Sequence, residues 1–121
     1  MDITEKIEEA KRSDSLLLLV FYADWSPHYE WIEPLVHEFE EPVNIVRVNI
    51  EANRKVADIY EIEIAPSFVL QRKDKVLWEK TGKVFPGELR DVIEMFKNWD
   101  PYIRTDEKKF RWYAATGLFF L

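Results

Sequence analysis

The chain contains no cysteine. Disulfides, thiolate nucleophiles, cysteine-built zinc sites and iron–sulfur clusters are therefore excluded. Glycine is scarce, three in 121 residues, and no glycine-rich phosphate loop can be assembled from them. Positive charge is in deficit: 17 Lys and Arg against 23 Asp and Glu leave a net charge of −6. Such a balance offers no basic face to nucleic acid and no attraction to anionic lipid. It serves solubility instead. With two histidines and no cysteine, a full metal ligand set is not expected, and neither is any cofactor. No apolar run approaches the roughly 20 residues that span a bilayer. Residues 1–12 are charged and mixed in sign, with no signal-peptide pattern, so a cytoplasmic location is the expectation.

What is present is ample for a core: 47% hydrophobic residues, 15% of the chain aromatic. The length fits one domain. Asp2 followed by Glu5 forms a capping-box pattern, and Ile3, Ile7 and Ala10 recur at helical spacing. Ser13-Asp14-Ser15 breaks that helix. Leu16 to Tyr22 is continuously apolar and reads as a central strand, buried on both faces. A strand-to-helix corner follows, Trp25-Ser26-Pro27. Pro27 suits the first turn of a helix with Ser26 as its N-cap, and Tyr29, Ile32, Leu35, Val36 and Phe39 continue at helical spacing, with a kink expected at Pro34.

Val43 to Ile50 alternates and reads as a second strand; Ala52 to Tyr60 reads as a short helix. Ser67 to Gln71 and Val76 to Lys80 read as two more strands. Their connection, Arg72 to Lys75, is too short for a crossover, so the pair must be antiparallel. Pro86 to Trp99 reads as the last helix, with Leu89, Val92, Ile93 and Phe96 inward. The first two strands, joined through a helix, should be parallel with a right-handed crossover.

Together these elements and local motifs resemble the thioredoxin family. The motifs are Phe21-Tyr22-Ala23-Asp24-Trp25 at the corner, Pro34 in the helix, Val48-Asn49-Ile50-Glu51 after the second strand, Tyr60 before the loop, Ile64-Ala65-Pro66-Ser67, and Gly82. They span roughly residues 16 to 99. The resemblance implies a three-layer α/β/α sandwich around a mixed four-stranded sheet, two parallel strands plus an antiparallel hairpin. It implies a cis bond before Pro66, and a backbone at Ala65 that offers hydrogen bonds to an extended peptide.

The family pattern reads aromatic-Ala-x-Trp-Cys-Gly-Pro-Cys. Here Ser26 and Tyr29 stand in place of the two cysteines, and Val20 in place of a buried aspartate. The helix after the corner is also about one turn short. Disulfide exchange then has neither nucleophile nor leaving group.

Three functions remain open. The first is a redox-inactive module that holds a protein or peptide segment in a groove lined by Trp25, Ser26, His28, Tyr29, Ala65 and Pro66. The second is an anion or glutathione site at a helix N-terminus marked by Ser26; the corner lacks the basic residues it would use. Ser26 as a nucleophile with His28 as base competes there with Ser26 as an ordinary cap, since a nucleophile needs an oriented base. His28 reads as a pH-sensitive contact or as a solvent-facing side chain. Glu33 and His37, four apart, read as a surface pair.

The third function is a scaffold acting through residues 100–121. Asp100-Pro101 marks the expected end of a domain covering residues 1–99. The extension beyond it carries Lys108, Lys109 and Arg111 ahead of an apolar stretch. Phe110, Trp112, Tyr113, Phe119 and Phe120 suit a helix docked on the domain, self-association, or a membrane-proximal contact.

Overall fold

A computed structural model describes residues 2–97. The expectations for residues 100–121 lie outside the described residues. In order the chain forms α1 (Ile3–Arg12), β1 (Leu16–Tyr22), α2 (Ile32–Val36), β2 (Val43–Asn49), α3 (Arg54–Ile59), β3 (Ser67–Arg72), β4 (Lys75–Thr81) and α4 (Pro86–Phe96). The four strands make one sheet in the order β2-β1-β3-β4. β1 and β2 are parallel; β1 and β3, and β3 and β4, are antiparallel.

The apolar run from Leu16 to Phe21 explains why β1 is central. Each of these side chains is at most 1% exposed. Alternate residues point to opposite faces of a strand. Leu17, Leu19 and Phe21 join one cluster, covered by Ile3, Ile7 and Ala10 of α1 and by Val56 and Ala57 of α3. Leu16, Leu18 and Val20 join the other, covered by Ile32, Leu35 and Val36 of α2 and by Leu89 and Ile93 of α4. The result is the three-layer sandwich. Burying each such side chain is worth about 1.5–3 kcal/mol, so the sheet's two faces carry most of the folding free energy.

α1 starts as its sequence predicts. The Asp2 carboxylate accepts from the Glu5 N–H at 2.8 Å, and Glu5 accepts from the Asp2 N–H at 3.2 Å. The hairpin is tighter than expected: β3 runs on to Arg72 and β4 starts at Lys75, leaving Lys73-Asp74 as the turn. Lys73 accepts a left-handed backbone (φ 52°) to make it. Gly82, at φ 96°, lets the chain turn after β4 so that its N–H donates to the Pro66 carbonyl at 2.7 Å.

Arg72 is buried at the far end of the same hairpin. Its guanidinium donates to the carbonyls of Asp14, Phe96 and Lys97. One cation thereby joins the start of β1 to the last turn of α4, the helix end whose dipole favours positive charge. Among the described residues, no helix is long and apolar enough to cross a membrane.

Candidate functional site

The corner after β1 departs from its sequence reading. No helix begins at Pro27; α2 starts at Ile32 and lasts five residues. Ser26 is therefore not an N-cap. Its hydroxyl donates to the Ala23 carbonyl at 2.9 Å and accepts from the Ala23 N–H at 3.0 Å. The Ser26 N–H also donates to that carbonyl, at 3.0 Å. The side chain is 5% exposed and closes a tight turn on itself. It is neither presented to a partner nor placed as a nucleophile. With no helix N-terminus behind it, the anion or glutathione reading loses the feature it was built on.

Two physical causes displace the helix. The first is Pro34. Starting at Ile32 places Pro34 within the first turn, where an N–H would have no intrahelical acceptor. The helix loses no hydrogen bond there, and the expected kink is not needed. The second is Arg47 on β2. Its guanidinium donates to the His28 carbonyl at 3.0 Å and to the Tyr29 carbonyl at 3.4 Å. In a helix starting at Pro27 those carbonyls would serve the next turn. Arg47 is held in turn by Glu33, at 2.7 and 2.9 Å to the two carboxylate oxygens. Those hydrogen bonds hold the Glu33 carboxyl below its ordinary value, against a smaller opposing effect of burial. Expected as one half of a surface pair with His37, Glu33 is committed to Arg47 instead.

Tyr29 takes a left-handed backbone (φ 53°) that turns its ring inward. The ring meets Phe68 edge-on at 5.4 Å and Trp31 at 5.8 Å. It is a half-buried packing residue, not an open groove wall. His28 is exposed, in a recess of about 300 Å³ that it shares with Glu30, Glu33 and Arg47, not with Ala65 or Pro66.

The remaining three candidates are Trp25, Ala65 and Pro66. Phe21 pairs with Ser67 across β1 and β3. Ala23, just past β1, and Ala65, just before β3, sit in the same buried cluster. The Ala65–Pro66 peptide bond is cis. Trp25 stands two residues after Ala23, 71% exposed, and Ile64, beside Ala65, is 57% exposed. Asn49 at the end of β2 steadies the corner by donating to Asp24 at 3.0 Å.

A family model described as thioredoxin matches residues 3–95. The chain belongs to the thioredoxin family. A thioredoxin of Buchnera aphidicola is 29% identical over 91 residues, covering 72% of this chain and 84% of that protein. Thioredoxin-T of Drosophila melanogaster is 32% identical over 98 residues, covering 78% of this chain and 59% of that protein. Among solved structures, a mutant thioredoxin from Halobacterium salinarum superposes with a TM-score of 0.66 at 22% identity, over 80% of this chain and 88% of that one. At that identity the likeness speaks for the fold alone.

Set against the thioredoxin pattern, the first cysteine position is buried and the second half-buried. Ser26 satisfies its own turn, and Tyr29 fills the space over Phe68. Val20, 1% exposed, completes the replacement of polar redox groups by packing. Arg47 is the functional-site neighbour that sequence reasoning missed. A single cation in the otherwise apolar alternation of Val46, Val48 and Ile50, together with an unassigned Glu33, was its signal.

Proposed function

We propose that this thioredoxin-family domain performs no thiol chemistry and instead grips an extended polypeptide segment where Trp25 and Ile64 flank the Ala65–Pro66 loop. The observation that carries this reading is the backbone of Ala65. Among the described residues, neither its N–H nor its C=O has a hydrogen-bond partner, although the residue is only 5% exposed. Unpaired backbone groups in such a place are rare and favour an incoming strand. The exposed Trp25 and Ile64 would supply the apolar contact, in the manner of strand addition with side-chain pockets.

The test is a peptide-library screen on the purified chain, repeated with Trp25→Ala and Ile64→Glu. Both side chains are exposed, so both variants should keep the wild-type urea midpoint. Binding should fall at least tenfold in each, in line with loss of an interface anchor. Unchanged binding in both variants would remove the corner from consideration. An insulin-reduction assay should be blank throughout, because the chain has no sulfur nucleophile.

A further inference from the structure

On the sheet face that carries α1 and α3, the hairpin and the ends of those two helices frame a cleft of about 400 Å³. Its apolar part is Ile59, Tyr60 and Val76; Ile59 is 77% exposed and Val76 40%. The polar atoms of its floor are already satisfied. The Tyr60 hydroxyl donates to Gln71 Oε1 at 2.8 Å, and Gln71 Nε2 donates to the Lys73 carbonyl at 2.6 Å. What the floor offers a visitor is therefore apolar surface. The rim is acidic: Glu61, Asp74 and Glu79 stand against Lys11 alone among the described residues. Lys11 is neutralised by Glu8 and Asp74, each at 3.1 Å. Glu61 and Glu79 have no ion pair among the described residues.

Two backbone irregularities aim these side chains at the cleft. Leu70 pairs with Trp78 and Gln71 with Val76, which leaves Leu77 as an extra residue on β4. Three apart, Val76 and Glu79 would face opposite sides of a regular strand; the bulge lets both line the cleft. Glu61 follows α3 in a left-handed backbone (φ 59°), a conformation that glycine or asparagine takes more readily. We propose that the cleft is a docking surface for a basic segment of another protein, one that sets Lys or Arg side chains beside bulky apolar ones. Charge complementarity carries the choice of occupant. Cations of the segment meet Glu61 and Glu79, and its apolar side chains cover Ile59 and Val76. A second copy of this chain is a poor occupant, because a two-fold contact through the cleft brings two acidic rims together. Nucleic acid and anionic lipid are repelled by the same charges. The cleft shares no residue with the Trp25 corner, so the two sites stand or fall separately.

Titration of the purified full chain with synthetic decapeptides, followed through its amide chemical shifts, tests the proposal. One peptide alternates Lys with Leu, a second Lys with Ser, a third Glu with Leu. The Lys–Leu peptide should bind, with shifts concentrated at Lys11, Ile59, Glu61, Val76 and Glu79. Glu61→Gln combined with Glu79→Gln should weaken it about fivefold, the scale of two exposed ion pairs. Ile59→Ser should weaken it about threefold through lost apolar contact. Glu40→Gln combined with Glu51→Gln removes the same net charge elsewhere and should leave binding unchanged. All five substituted positions are exposed, so each variant should keep the wild-type urea midpoint. Absence of binding at millimolar peptide, equal affinity for the Lys–Ser or Glu–Leu peptide, or equal weakening by the two Gln pairs would each overturn the assignment. So would indifference to Ile59→Ser, shifts centred elsewhere, or a dimer of the free chain that Ile59→Ser dissociates.

Discussion

Removing the Arg47 guanidinium should loosen the corner more than removing its charge partner does. Arg47→Ala deletes a two-pronged ion pair and the bonds to the carbonyls of His28 and Tyr29. The pair is partly solvated, with Arg47 30% and Glu33 47% exposed, so its share is set at about 0.5–1 kcal/mol. Each carbonyl bond to a charged donor adds on the order of 1 kcal/mol, less for the long one at 3.4 Å. The sum is about 2 kcal/mol. Glu33→Gln keeps the carbonyl bonds and should cost about 0.5–1 kcal/mol. Urea unfolding at pH 7, with the slope checked for constancy, reads both values from the midpoints.

Acid adds a second reading of the same contact. Arg47 lowers the Glu33 pKa from its ordinary 4.5. A carboxyl whose folded pKa is depressed stabilises the fold above the unfolded value and loses that contribution as pH falls through the folded one. The difference between wild type and Glu33→Gln should therefore be constant from pH 7 down to about 5 and vanish below the depressed value. Equal losses for Arg47→Ala and Glu33→Gln at pH 7 would refute the clamp, because the carbonyl bonds would then contribute nothing.

The other predictions follow from burial and backbone. Leu18→Ala, at a position 0% exposed between β2 and β3, should cost about 2–5 kcal/mol by urea unfolding. Ser26→Ala should cost about 1–3 kcal/mol, because it leaves buried groups of Ala23 short of a partner; an exposed catalytic serine would show no such loss. Gly82→Ala should cost about 1 kcal/mol from the positive φ alone, since an added Cβ would meet no atom within 4 Å. A much larger loss would mean that the position is crowded.

The strands, their pairing and the first helix were legible because each rests on local pattern. The run Leu16 to Phe21 admits only a doubly covered strand. A short link between two apolar stretches admits only a hairpin. Asp2 and Glu5 cap α1 through side chains three residues apart. The corner was not legible in the same way. The spacing of Tyr29, Ile32, Leu35 and Val36 fits a helix from Pro27, and nothing local forbids it.

Arg47 lies 14 residues from Glu33 along the chain, and the two meet only because β2 runs beside β1. Phe68, which receives the Tyr29 ring, arrives from further still. Pro34 alone carried a local clue, since its missing N–H belongs in a first turn. Composition decided what this chain cannot do: without cysteine there is no thiol exchange, whatever the fold. The sheet decided what the old cysteine positions became, because their fate depended on neighbours brought by strands distant in sequence. Covalent chemistry is written residue by residue, whereas the shape of a corner is set by whatever packs against it.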